Sequence, residues 1–153
     1  MKIVEILPEG AIVPDLRGGS KLDVLEELAR VLASQHPSIP SDRLVEVLLE
    51  REKLGSTAIG EGIAIPHGKL PKLQNVIAAF GRSRGGIDFN SLDGGLTHLF
   101  FLLIAPEDSS GAHLKALARV SRLLRDKSFR ERLLQAGDRP ELYQTIREED
   151  EKY

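Results

Sequence analysis

One segment constrains the fold more than any other: THLFFLLIAP, residues 97–106. It is apolar at consecutive positions from Leu99 to Ala105, without the alternation of a strand that faces water on one side. A strand of this kind is covered on both faces, as a central strand is in a layered α/β domain. It is also far shorter than the ~20 apolar residues that cross a bilayer. NVIAAFGRS, before it, reads as a second apolar strand, and GGIDFNSLDGGL between them carries turn glycines at both ends.

The rest of the chain supplies layers to cover that sheet. ILPEGAIVPDL is broken by Pro8, Gly10 and Pro14 and reads as irregular chain with at most one short strand. Ser20 then precedes KLDVLEELARVLASQ, where Leu22, Leu25, Leu28, Ala29 and Leu32 recur at helical spacing. Ser20 is placed to cap that helix, with Asp23 at the capping-box position. A second helix starts near Ser41 or Asp42 and stops before Gly55, with Leu44, Val47, Leu48 and Arg51 on one side. From Ser109 the pattern is helical again. Leu114, Leu117, Ala118, Ser121 and Leu124 form its apolar face, and Lys115, Arg119, Arg122 and Arg125 a solvated one. A short helix covers roughly residues 128–136. Asp138, Pro140 and Glu141 mark the start of a last helix that is expected to fray into a charged tail.

Composition narrows the function. A chain of 153 residues fits one domain, 1–153, able to bury a core without a staple. It has no cysteine, which excludes thiol catalysis, disulfides and iron–sulfur clusters. The net charge of −2 is not the basic balance of a nucleic-acid binder. MKIVEILPEG lacks the long apolar run of a signal peptide. A soluble cytoplasmic domain, with no membrane insertion, is the expectation.

The chemistry concentrates in GSTAIGEGIAIPHGKL, residues 55–70. It is not a Walker loop, because Leu70 follows Lys69 where Ser or Thr is required. It is not a dinucleotide fingerprint, because Ile65 stands where the third glycine belongs. The four histidines, His36, His67, His98 and His113, form no i, i+4 pair, so no metal site is expected. No G-x-S-x-G elbow is present. What remains is His67 between Pro66, which restrains Ile65 to extended geometry, and Gly68, which lets the chain turn. A neutral imidazole is a nucleophile near pH 7, and turn N–H groups can cradle an anion. The pattern fits a phosphohistidine; taken alone, it also fits a loop histidine with no chemical role.

These residues carry a family resemblance. EREKLGSTAIGEGIAIPHGKL, residues 50–70, resembles the signature of the fructose/mannitol-type IIA domains of the bacterial phosphoenolpyruvate-dependent phosphotransferase system. PEDSSGAHLKALARVSRLLRD resembles the helix of that family that begins at a His-Leu pair, and the likeness continues through ELYQTI. Within the family the chain is most similar to the nitrogen-regulatory branch, in which no transporter domain is attached.

The resemblance implies a three-layer α/β/α sandwich around a central mixed β-sheet, with no cofactor and no metal. It implies that His67 accepts a phosphoryl group from an HPr-like carrier, on Nε2; the other nitrogen then needs an acceptor to fix the tautomer, for which a backbone carbonyl would serve. It makes His113 the second active-site histidine and Arg51 the arginine near the phosphate; by themselves, the one fits a helix-edge histidine and the other a surface ion pair. Ser56, Thr57 and Gly68 are candidates for phosphate binding, although Ser56 and Thr57 equally fit residues that only turn the chain. Three departures stand out: Ala58 at a usual glycine, Glu61 as a negative charge near the phosphate, and His98 in the central strand, read as a partly buried structural histidine. The implied function is a regulatory phosphocarrier that controls partner proteins by its phosphorylation state, through a surface including Ile63, Ile65 and Glu61. The alternatives are a sugar-specific component that passes phosphate to a permease IIB domain, and a module that only binds.

Overall fold

The structure, a computed structural model, describes residues 1–153, the side chain of Ser110 excepted. After two short 3-10 turns come β1 (Ile12–Val13), α1 (Lys21–Gln35) and α2 (Ser41–Lys53). The glycine-rich stretch forms three short strands, β2 (Ala58–Gly60), β3 (Ile63–Ala64) and β4 (His67–Leu70). The long strands β5 (Ile77–Ile87) and β6 (Thr97–Pro106) follow, then α3 (Ser110–Leu124), α4 (Lys127–Gln135) and α5 (Arg139–Asp150).

The apolar segment 97–106 is the centre of the sheet. β6 pairs antiparallel with β5 on one side and parallel with both β3 and β4 on the other. β1 adds parallel to β5, and β2 adds antiparallel to β3. The sheet is mixed, as expected, and every residue of β6 except His98 is buried.

Alternation along β5 separates the two helical layers. A Cβ on Gly81 would meet Leu28 of α1 at 2.9 Å. The next residue, Arg82, turns to the opposite face, where its guanidinium reaches the carbonyls of Leu133 and Ala136 at the end of α4. Successive strand residues point to opposite faces, so α1 and α4 lie on opposite sides of the sheet. Phe100 and Phe89 pack edge to face, 5.3 Å apart, and Phe80 and Phe101 likewise at 5.8 Å. Each fully buried ring contributes about 1.5–3 kcal/mol of apolar burial.

The expected caps are present: Ser20 accepts from Asp23 N–H, and Asp138 from Glu141 N–H. Two expectations are corrected. The buried stripe of α3 runs through His113, Ala116, Val120, Leu123 and Leu124, while Leu114 is 64% exposed. The row that lies inside begins at a polar residue, His113, which a reading by apolar periodicity passes over. The chain end is not frayed. Asp150 is fully buried, bonded to Arg119 Nε at 2.8 Å and to the Val4 N–H at 3.2 Å, and Lys2 Nζ reaches the carbonyls of Asp150 and Tyr153. Arg122 stacks 4.2 Å over the Tyr153 ring. Arg119, expected to be solvated, instead holds the end of the chain, while Arg122 stays exposed as expected.

Candidate functional site

β3 and β4 run one after the other along the same edge of β6. Ile63 lies opposite Leu99 and His67 opposite Leu103. Between them, Ile65 and Pro66 interrupt the strand, because proline has no N–H to give to a ladder. His67 begins β4 where pairing resumes, and the Pro66 carbonyl accepts the Leu103 N–H at 2.9 Å.

The chain does not turn at Gly68, contrary to the sequence expectation; it continues as strand to Leu70. Glycine is needed there for space. A Cβ on Gly68 would lie 2.5 Å from Val47 Cγ1 of α2. Gly68 therefore faces α2, and the His67 side chain leaves the opposite face, toward α3. There its ring meets His113 edge to face, with centroids 5.4 Å apart. Among the described residues β4 pairs with β6 only. Around this edge the end of α2 brings Arg51 to the same imidazole.

Two hydrogen bonds define the state of His67. Its Nδ1 lies 2.8 Å from the carbonyl oxygen of Ile65, and its Nε2 lies 3.2 Å from Arg51 Nε. A carbonyl only accepts and a guanidinium only donates. The ring proton is therefore on Nδ1, and the lone pair is on Nε2, facing Arg51. A second Arg51 bond, Nη1 to the Gly55 carbonyl at 2.9 Å, aims the guanidinium. Burial, and to a lesser degree the Arg51 charge, lowers the pKa of His67 below 6.5, against the opposing pull of its bond to Ile65 and of Glu52. His113 is lowered as well, by burial first and then by the charges of His67 and Lys69. His113 is 7% exposed, and its Nδ1 has no hydrogen-bond partner among the described residues. Both rings are held neutral, the form in which one can attack and the other can donate a hydrogen bond.

His67, His113 and Arg51, far apart in sequence, are thus brought together. The hydroxyls of Ser56 and Thr57 are directed elsewhere: Ser56 donates to the Phe89 carbonyl at 2.6 Å, and Thr57 bonds the carboxylate of Glu52. Ala58 needs no left-handed backbone; it is extended in β2 and fully buried. Glu61 does adopt the left-handed region, φ 57°. It precedes Ile63, and the four residue steps from Ile63 to His67 span ~13 Å of strand. Its carboxylate points to Arg130, 3.6 Å away, so it is not beside His67. Ile63 and Ile65 are 3% and 5% exposed and offer a partner no surface. Leu54 at 84% and Leu114 at 64%, next to the ends of α2 and α3 that bear Arg51 and His113, do. His98 is structural, with Nδ1 3.0 Å from the Ser83 carbonyl.

Sequence reading missed Glu52 and Lys21, which form an ion pair at 2.8 Å behind the loop, with the carboxylate buried and the ammonium partly exposed. A signal was present: Glu52 continues the buried Leu44–Leu48 row at i+4 spacing, where an acid is out of place unless it is paired. No group of three or more His, Cys, Asp or Glu able to hold a metal occurs among the described residues. No helix among them is long and apolar enough to cross a membrane.

Comparison with known proteins gives consistent matches. The family model described as phosphoenolpyruvate-dependent sugar phosphotransferase system, EIIA 2, matches residues 5–149. The chain is 45% identical over 146 residues to a nitrogen regulatory protein of Bradyrhizobium diazoefficiens, covering 95% of each. It is 39% identical over 150 residues to the fructose-specific EIIABC component of Bacillus subtilis, covering 98% of this chain and 24% of that protein. Among solved structures, the nitrogen regulatory protein IIA-Ntr of Neisseria meningitidis superposes with a TM-score of 0.88 at 37% identity, over 94% of this chain and 98% of that one. The mannitol IIA of Escherichia coli shares the fold, with a TM-score of 0.73 at 21% identity, over 90% and 96%.

Proposed function

The chain belongs to the phosphoenolpyruvate-dependent sugar phosphotransferase system EIIA 2 family of phosphocarrier domains, and from that premise we propose that His67 carries the phosphoryl group and that the protein uses it to regulate partners. One observation carries the assignment: the Ile65 carbonyl holds the proton on Nδ1 and so leaves a lone pair, not a proton, on Nε2. Transfer is a displacement at phosphorus. The Nε2 lone pair forms the new N–P bond as the bond from phosphorus to the donor histidine breaks, and the electron pair returns to the donor ring. The Nδ1 proton stays in its bond to Ile65.

Arg51 donates to Nε2 at rest, so it must swing off as the phosphoryl group arrives. Its fork then meets the phosphoryl oxygens, held from behind by the Gly55 carbonyl. His113 lies beside them in a neutral state and can add a hydrogen bond. Catalysis of this kind is mostly positioning and charge stabilisation, and it needs no metal from this domain. The donor is an HPr-like phosphocarrier, and the reaction belongs to the cytoplasm. Leu54 and Leu114, beside exposed Lys53, Lys69 and Lys115, supply an apolar and basic rim on which such a partner can dock.

Between regulation and sugar transport, regulation is the better reading, because the likeness to a nitrogen regulatory protein covers 95% of both chains. Phosphorylation brings about −1.5 to −2 charges to the rim and so switches which partners bind there. The test is incubation with phosphoenolpyruvate, an enzyme I-type kinase and an HPr-like donor, comparing wild type with His67→Ala. Acid-labile label in wild type alone supports the assignment, and undiminished label in the variant rejects it. Pull-downs of phosphorylated and unphosphorylated protein then address regulation. Rapid passage of the label to a permease IIB domain, with no partner distinguishing the two states, would mean transport.

A further inference from the structure

Glu52 follows Arg51 in sequence but points into the protein, its side chain 5% exposed. Three groups converge on its carboxylate. Lys21 Nζ, from the first turn of α1, lies 2.8 Å from Oε1; the Thr57 N–H donates to the same oxygen at 3.2 Å; and the Thr57 hydroxyl bonds Oε2. Lys21 is itself held, 4.7 Å over the Phe89 ring and 3.3 Å from Asn90 Oδ1. Burying that carboxylate carries a desolvation cost, and an apolar pair of similar volume often does as well or better, so the pair is a poor device for stability alone. What this pair does is clamp one residue of a loop, Thr57.

That loop supports both arms of the site. The Gly55 carbonyl, two residues before Thr57, accepts from Arg51 Nη1. The Thr57 carbonyl accepts the Ile65 N–H at 3.1 Å, and the Ile65 carbonyl in turn accepts from His67 Nδ1. A continuous hydrogen-bonded path thus leads from Glu52 through Thr57 and Ile65 to the imidazole. We propose that Glu52, with Lys21 as its counter-ion, is a positioning residue for His67: it anchors Thr57, so that the Ile65 carbonyl stays where it keeps the ring proton on Nδ1 and Nε2 free. Lys21 completes the device. A bare carboxylate this close would favour the imidazolium, which has no lone pair to attack with; pairing it with an ammonium keeps the clamp and offsets that pull. The proposal rests on His67 as the phosphoryl acceptor.

Tautomer and transfer rate test it separately. Nitrogen-15 NMR of the imidazoles in the unphosphorylated protein, above the pKa of His67, reports which nitrogen bears the proton and does not depend on any donor. Wild type is expected to show one tautomer, with the proton on Nδ1. Thr57→Val keeps the shape and removes the hydroxyl; Glu52→Gln removes the charge. Both should mix the two tautomers and slow donor-driven labelling about tenfold or more, the size typical of a lost supporting hydrogen bond. Thr57→Ser should restore both readouts. If Glu52→Gln does not fold, as judged by its amide spectrum, the Thr57→Val and Thr57→Ser pair decides. Wild-type tautomer in folded Thr57→Val overturns the proposal, even if the rate falls, because a slower rate alone marks a merely structural residue. Label that persists in His67→Ala would instead overturn the acceptor assignment and leave the tautomer result standing.

Discussion

At the scale of single residues, the site depends on two imidazoles kept neutral and one guanidinium kept aimed. Burial is the main reason both His67 and His113 titrate below 6.5. Proton NMR titration of their Cε1–H signals should therefore give inflections below that value, and an inflection at or above 6.5 for His67 would contradict the account. In the proposed mechanism Arg51 and His113 assist and do not carry phosphate. Removing one such contact costs about 2–4 kcal/mol in the transition state by analogy with oxyanion donors. Arg51→Ala and His113→Ala should each fold normally and take label roughly 30- to 1000-fold more slowly. Wild-type rates in both would leave them no part in transfer.

At the scale of elements, the site exists because β4 and α2 approach too closely for a side chain between them. Gly68→Ala puts a methyl group 2.5 Å from Val47 Cγ1. Overpacking of this kind costs about 1–3 kcal/mol, and here the displaced element bears either His67 or Arg51. Lower stability in chemical denaturation together with slower labelling is the expected outcome. Val47→Ala in the same chain should recover most of both losses; if it does not, the clash is not the reason for the glycine. The correction to α3 belongs to this scale too. Once His113 is counted as part of the inward row, the helix presents it to β4 and leaves Leu114 exposed.

At the scale of the whole molecule, the two ends of the chain are tied together beneath α3. Asp150 is buried and paired with Arg119, and Lys2 bonds the carbonyls of Asp150 and Tyr153. Removing one partner of a buried pair leaves an uncompensated charge. Asp150→Ala should cost about 3 kcal/mol in urea unfolding, while a change below 0.5 kcal/mol would show that the pair is screened like a surface one. Stability should also depend on pH before the carboxylates titrate. His36, His67 and His113 are all lowered from 6.5 by burial. Between their folded values and 6.5 the unfolded chain binds more protons than the folded one, so stability falls as the pH drops through that window. Urea midpoints at pH 7.5 and 5.5 check this, and an unchanged or higher midpoint at 5.5 contradicts it.

Much of this was legible in the sequence, because it depends on local pattern. The unbroken apolar run 99–105 reads as a strand covered on both sides, and it lies in the central β6. Ser20 and Asp138 marked helix starts by chemistry that acts within three residues. The order Ile65-Pro66-His67 set one extended residue before a histidine. Other features needed the tertiary structure, because they depend on what arrives from elsewhere in the chain. Gly68 was read as a turn residue; only the approach of Val47 shows it to be a space. Arg119 and the acidic end of α5 looked like solvated charges until folding brought them together. Glu61 was placed near the phosphate by the family resemblance, yet a strand extends about 3.3 Å per residue, so a few residues carry a side chain out of reach. The Ile65 carbonyl carries no mark in a sequence, since every residue has one. Its role arises only because β3 and β4 lie end to end along β6 and place the Ile65 carbonyl, between them, 2.8 Å from the ring nitrogen of His67.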